Sequence, residues 1–268
     1  MDVRKTYKLF VNGEFVRSES GRAYRPDGRV NVPRGSRKDL RDAVRAARTA
    51  CTGWAGRTAM NRGQILYRAA EMLDGRAAQF VELLGGGVRA RRELERSVET
   101  LVWYAGWTDK LPQIMGTVNP VAGPYFNFTI PEPTGVVAIV APEQDALSGL
   151  VRRLAPVLCG GNVVVALAAE SQPLAALTLA EVLATSDVPA GVVNIISGQR
   201  KELLPWLSSH MDINAIDTAG CTADEIKAIE ESAAGNVKRV IKLTKDEMSP
   251  YLISAFMEMK TVWHPIGV

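Results

Sequence analysis

The sequence is poor in the residues that build metal and thiol centres, with two histidines and three cysteines among 268 residues. Cys51, Cys159 and Cys221 form no CxxC pair, and with only His210 and His264 as imidazoles a Cys/His zinc cluster is not expected. This cysteine usage fits a reducing compartment. The opening Met1-Asp2-Val3-Arg4-Lys5 lacks the apolar run and small-residue cleavage site of a secretory leader, so a cytoplasmic location is expected. Long hydrophobic runs are missing as well. Val136–Ala141 and Val163–Ala169 fall far short of the roughly 20 residues a membrane helix needs, so no membrane association is expected. Nor is there a large excess of one charge: 32 basic against 29 acidic residues give +3, too balanced to suggest a nucleic-acid binder.

What is present fits a globular chain, with 47% apolar and 23% charged residues. The charge is divided, residues 1–112 carrying 22 basic and 13 acidic side chains and residues 113–268 carrying 10 and 16. Arg34, Arg37, Arg41, Arg45 and Arg48 recur at three- and four-residue spacing, which permits one basic helix face. Such a face is either an ordinary solvated stripe or a contact for RNA or an acidic protein.

Asn12-Gly13 between Tyr7–Val11 and Glu14–Val16 predicts a hairpin with a type I′ turn. Ser36-Arg37-Lys38-Asp39 has capping-box spacing and opens a helix to about Ala50, broken by Gly53-Trp54. A second helix runs through Ile65–Leu73 and a third over Glu93–Lys110. Residues 116–133 read as extended chain punctuated by proline and glycine. Apolar runs then recur at Val136–Val140, Asn162–Leu167, Val192–Ile196, Asn214–Asp217 and Arg239–Leu243. Helical stretches near Leu147–Leu158, Leu174–Ala184, Lys201–Ser209 and Ala223–Ala233 separate them. Five short strands with four crossovers predict an α/β fold, a doubly wound parallel sheet. The segment Ala255–Trp263 begins helically and ends as a strand that no further crossover explains.

The chemistry is less legible. No GxGxxG follows a strand, and Glu143 and Asp145 after the first parallel strand are of the wrong sign to cradle phosphate. The loop Ser197-Gly198-Gln199-Arg200-Lys201 offers either an anion site or two exposed cations. Cys221 sits at a helix start, where a thiol pKa can fall, but no base is evident beside it. Cys159 reads as core, and His210 and His264 as surface or packing residues.

The strings Pro133-Thr134-Gly135-Val136-Val137-Ala138-Ile139-Val140-Ala141-Pro142, Leu154-Ala155-Pro156, Gly161–Val165, Ala169-Glu170 and Pro189–Gly198 resemble the cofactor domain of the aldehyde dehydrogenase superfamily, and Asn236–Val240 extends the likeness. Gly53-Trp54 and Asn61-Arg62 fit the family's opening segment. The resemblance covers nearly the whole chain and implies the Rossmann-like cofactor domain of that family. On this likeness, residues 1–112 hold the N-terminal hairpin and helices and 134–254 the doubly wound part. Residues 113–133 and 255–268 form a small β oligomerisation element.

The departures from the family pattern are specific. Active members have Trp-Asn where this chain has Glu143-Gln144, which places Gln144 at the position of the oxyanion-binding Asn. Leu167 replaces the Lys that binds the adenosine ribose. Arg200, Leu204 and Glu225 stand at glycine positions. Ile241–Lys245 contains no counterpart of the general-base Glu, and the segment with the nucleophilic Cys is missing, as if by an internal deletion of the catalytic domain.

The resemblance is therefore to truncated, non-catalytic modules and companion proteins of the superfamily. It implies a catalytically inactive subunit without catalytic residues or metal. Glu170, Gly198 and Gly220 would be remnants of a cofactor site that binds NAD or NADP weakly, if at all. Assembly, as a homo-oligomer or with a full-length aldehyde dehydrogenase, is expected through Tyr125, Phe126, Phe128 and Ile130 with Lys260, Thr261, Val262 and Trp263. The alternative is an oxidoreductase component of the family that retains NAD(P) binding.

Overall fold

The computed structural model describes residues 5–242 and 248–267. The chain opens with the expected hairpin, β1 (Leu9–Val11) and β2 (Glu14–Val16), antiparallel with Phe10 opposite Phe15. Asn12 and Gly13 adopt φ of 55° and 78°, the two left-handed positions of the turn. A smaller hairpin, β3 (Ala23–Tyr24) and β4 (Val32–Pro33), leads to α1 (Arg37–Ala55).

The capping box of α1 is formed, and its Asp39 does more than cap. Besides the Ser36 N–H it accepts from Ser18 Oγ at 2.8 Å and the Glu19 N–H at 2.9 Å, tying the preceding loop to the helix. Gly53-Trp54 does not break α1. An exposed glycine inside a helix costs about 1 kcal/mol, but continuing one more turn places Trp54 in the core, where its indole donates to Leu158 O at 3.3 Å. Burial of that ring outweighs the glycine.

Four helices follow: α2 (Ala59–Asp74), α3 (Ala77–Leu83), α4 (Gly87–Ala105) and α5 (Leu111–Met115). The expectation of one helix over Glu93–Lys110 is corrected. Helix α4 begins on the last of a run of glycines with positive φ, Gly85 to Gly87, and is closed by Gly106, so the residues beyond belong to a turn and to α5.

Strands β5 (Thr117–Asn119) and β6 (Tyr125–Pro133) come next. The alternating part then runs β7 (Val136–Val140), α6 (Ala146–Cys159), β8 (Val163–Leu167), α7 (Pro173–Ala184), β9 (Val193–Ile196), α8 (Arg200–Ser209), β10 (Ala215–Asp217), α9 (Ala223–Ala233) and β11 (Arg239–Ile241). The expected fifth strand reached Leu243, which lies outside the described residues. Strand order is β11-β10-β7-β8-β9-β1-β2, parallel from β11 to β9, with the N-terminal hairpin added antiparallel at the edge. This is a Rossmann-like mixed sheet. Strands β7 and β8 are buried along their whole length because helices cover both faces, which is why they read as unbroken apolar runs. Chain direction across the sheet reverses between β7 and β10, where doubly wound sheets open a crevice beyond the carboxyl ends of the strands.

The chain closes with α10 (Pro250–Ser254) and β12 (Met257–Pro265). The helical start expected at Ala255 lies earlier, in α10. Strand β12 pairs antiparallel with β6 over nine residues, Met257 opposite Pro133 through Pro265 opposite Tyr125, and β5 lies on the other side of β6. This three-stranded sheet is fastened to the large domain by side chains. Arg239 donates to Ala255 O and Met257 O and pairs with Glu258, and Asn162 bridges the Gly135 N–H to Phe256 O.

Candidate functional site

Four connections at the carboxyl ends of the parallel strands converge on Arg200. The segment after β7 brings Glu143, that after β8 brings Glu170 and Ser171, that after β9 brings Arg200 itself, and that after β10 brings Gly220 and Glu225. The guanidinium Nη2 donates to Glu143 Oε1 at 2.6 Å, Nη1 donates to Gly220 O at 2.6 Å, and Glu225 Oε2 lies 3.6 Å from Nη1. The Arg200 side chain is 13% exposed. Its own N–H donates to Glu170 Oε2 at 2.7 Å, so a carboxylate caps the positive end of α8.

Glu143 is held from a second side. Its two oxygens accept the Glu170 and Ser171 N–H groups at 2.9 and 3.0 Å, and the Ser171 hydroxyl as well. Burial pushes the Glu143 carboxyl up, but the Ser171 and Glu170 donors and the Arg200 charge outweigh it, leaving a pKa below the ordinary value. The carboxylates that looked set to repel phosphate are thus already neutralised within the chain. Glu225 also serves the α9 capping box, accepting from the Thr222 N–H at 2.8 Å. Asp145, in the left-handed conformation at φ 48°, pairs with Arg89.

Beside Arg200 opens a polar cleft of about 700 Å³ whose outer wall is Tyr24, Arg25 and Pro26, with Lys201 and Gln199 at its mouth. Those wall residues come from the small β3–β4 hairpin, and no motif singled them out. Tyr24 donates to Glu170 O at 3.3 Å, and burial together with the Glu170 and Glu143 charges raises its pKa. Next to the cleft, and sharing Lys201 and Glu225 with it, lies a groove of about 440 Å³ between α8 and α9. Leu204, Pro205, Ala228 and Ile229 supply its apolar walls.

The other candidate residues fall elsewhere. Gln144 is exposed at the turn into α6. A Cβ on Gly198 would meet Leu203 Cδ1 at 2.7 Å and the Gly35 N at 3.1 Å, and one on Gly220 would meet Ala141 O at 2.2 Å, so both glycines are pressed against the chain itself. Burial first, then the Glu225 charge, pushes the Cys221 thiol up to about 12; burial does the same to Cys159. Neither thiol is activated. His210 Nδ1 accepts from the Asp212 N–H, and His264 lies exposed on β12. Among the described residues no group of three or more His, Cys, Asp or Glu could hold a metal, and no helix is long and apolar enough to cross a membrane. Most of the basic stripe is engaged internally: Arg34 pairs with Glu202, Arg37 stacks over Trp206 at 3.7 Å, Arg41 pairs with Asp42, and Arg48 donates to Asn214. Thr244 and Lys245, within the segment where the family's general base was sought, lie outside the described residues.

In the small sheet, Phe126, Phe128, Ile130 and, by register, Val262 share one face with the Lys260–Glu132 ion pair. On the opposite face Tyr125 and Trp263 meet edge-on with centroids 5.7 Å apart, and the Thr129 and Thr261 hydroxyls are hydrogen-bonded. Strand β6 is thus paired on both edges within the chain, and β12 has β6 as its neighbour on one edge.

A sheet of this order, flanked by helices and with a polar cleft beyond the carboxyl ends of its parallel strands, defines a Rossmann-like α/β architecture. Residues 24–244 match the aldehyde dehydrogenase family, and the chain belongs to it. It is 32% identical over 249 residues to omega-crystallin of Enteroctopus dofleini, covering 88% of this chain and 50% of that protein. To human retinal dehydrogenase 2 it is 35% identical over 268 residues, covering 94% and 51%. The solved NAD+ complex of aldehyde dehydrogenase from Bacillus cereus superposes with a TM-score of 0.81 at 28% identity, covering 88% of this chain and 50% of that one. The chain spans about half the length of the curated relatives it matches. The expectation of no cofactor, or of NAD or NADP bound weakly if at all, is corrected by these comparisons: solved relatives of the same fold hold nicotinamide adenine dinucleotide.

Proposed function

We propose that this chain is the dinucleotide-binding component of an aldehyde-dehydrogenase-type oxidoreductase. The observation that carries this is the pairing of a polar cleft with an apolar groove at the carboxyl ends of the parallel strands, the two sharing Lys201 and Glu225. The residues fit the adenosine end of NAD or NADP. The groove between Leu204 and Ile229 matches a flat, apolar-faced base, Glu170 offers acceptors for ribose hydroxyls, and Lys201, Arg25 and Arg200 place positive charge where phosphates follow. Leu167, at the position of the family's ribose-binding Lys, offers no donor, so affinity rests on the groove and on Glu170. When bound, the nicotinamide ring supplies a hydride acceptor; this chain's residues bind and orient the other end.

Catalysis of aldehyde oxidation by the chain alone is not part of the proposal. Cys221 and Cys159 carry raised thiol pKa values, and a thiol held protonated is a poor nucleophile. Titration calorimetry with NAD+ and NADP+ tests the binding, and saturable heat with a dissociation constant in the micromolar to low millimolar range is the expected result. No binding of either cofactor at about 10 mM overturns it.

A second role, assembly through the small sheet, is favoured by its exposed apolar residues, Phe126, Ile130, Val262 and Val118 on one face. The partner proposed is a second copy or a full-length aldehyde dehydrogenase. Light scattering of the chain alone and after co-expression with such an enzyme distinguishes the two, and a strict monomer in both samples refutes the role.

A further inference from the structure

We propose that Arg200 blocks the path over the ends of β7 and β10, so that this chain recognises a nucleoside diphosphate from one side and provides no site for the second nucleoside of a dinucleotide. The proposal rests on the dinucleotide reading above and narrows it.

A ligand that spans a doubly wound sheet crosses where the strand order reverses. Here that crossing runs over Ala141, which follows β7, and Gly220, which follows β10; the two backbones touch, the Gly220 N–H donating to Val140 O at 3.0 Å. The guanidinium bridges both lips, Nη1 to Gly220 O at 2.6 Å and Nη2 toward Ala141 O at 3.4 Å. Its counter-charges stand on opposite connections, Glu143 after β7 and Glu225 after β10. Neither end of this latch is loose. The Arg200 N–H is anchored on Glu170, and Glu143 is anchored by the backbone N–H groups of Glu170 and Ser171. Swinging Arg200 away would leave two carboxylates facing each other in a half-buried crevice, an arrangement with a large electrostatic cost.

The polar cleft ends at this latch: its wall includes Arg200, Lys201 and Glu225 but neither Ala141 nor Gly220, and neither Gln144 nor Asp145 beyond them. The apolar groove reaches the latch only through Lys201 and Glu225. A base in the groove, a ribose at Glu170 and a diphosphate along Lys201 fill the available space. The second nucleoside then points into solvent, where it adds little to affinity.

Titration calorimetry of the intact chain with ADP, NAD+ and nicotinamide mononucleotide tests this. ADP and NAD+ are expected to bind within about threefold of each other, and nicotinamide mononucleotide to give no heat. In the double variant Arg200→Gly/Glu225→Gly, checked for folding by circular dichroism, NAD+ should gain about tenfold over ADP. Wild-type NAD+ binding more than about tenfold tighter than ADP, saturable binding of nicotinamide mononucleotide to the wild type, or an unchanged ratio in a folded double variant overturns the block by Arg200 while leaving dinucleotide binding intact. No binding of any of the three to the wild type overturns both. If the double variant does not fold, the wild-type ratio alone decides.

Discussion

Strands β7 and β12 are both apolar-rich extended segments, yet they meet opposite fates. Every residue of β7 is buried, whereas β12 is buried only at its first residue and exposes most of the remainder. Strand β7 lies between β8 and β10 with helices over both faces; β12 has β6 on one edge and an exposed apolar face. Topology, rather than apolar content, sets burial in these two strands. The large sheet completes its own core within the chain, and the small sheet leaves apolar surface that a protein partner would cover.

Two tryptophans give the sharpest way to break that comparison. Trp54, 1% exposed and hydrogen-bonded to Leu158 O, belongs to the first region, and Trp54→Ala should cost about 3–5 kcal/mol in urea unfolding. Trp263, 59% exposed in the small sheet, should cost under about 1 kcal/mol as Trp263→Ala in the monomer. Equal losses would mean the small sheet is as integral to the core as the large one. Next in size is Arg200→Ala, which removes donors to Gly220 O and Ala141 O and leaves Glu143 and Glu225 uncompensated; a loss of about 2–3 kcal/mol is expected, read as a lower midpoint in the same denaturant series.

On the small sheet, Val262→Asp should shift any oligomer to monomer in light scattering while moving monomer stability by under about 1 kcal/mol. An oligomer that survives it assembles elsewhere. The smallest effect concerns pH. The Glu143 pKa is depressed in the folded chain, so its contribution to stability is complete above its ordinary value of 4.5 and is lost as pH falls through the lower folded value. Glu143→Gln should therefore flatten the acid limb of the stability profile and leave the slope between pH 6 and pH 8 unchanged.

The alternating half of the molecule was legible because its signals are local. Val136–Val140 and Val163–Leu167 are β-branched runs bounded by turn residues, and ahead of that half Ser36 caps its helix through a neighbour three residues on. Helices α3 and α5 were not foreseen, being too short to show a period, and Gly53 misled because its cost is local while the gain from Trp54 is tertiary. Among the residues lining the cleft, Glu170 was one that the family resemblance singled out, whereas Tyr24, Arg25 and Pro26 were not. Tyr24 meets Glu170 across 146 positions, a distance that no spacing rule reaches. Arg200 and Glu143 were visible as departures from a pattern, but their ion pair was not.

The strands of the large sheet, the longer helices, the Ser36 cap and the hairpin turn follow from the sequence alone, because each depends on residues a few positions apart. The sequence also carried the family, through motifs that recur at set places along the chain. That Glu143 and Glu225 are answered by one guanidinium, that Gly198 and Gly220 face the chain rather than open space, and that β6 pairs along its length with β12 emerge with the folded arrangement. Those outcomes depend on which loops the sheet order gathers at one end, and Coulomb attraction and burial act on distances in space, whatever the separation along the chain.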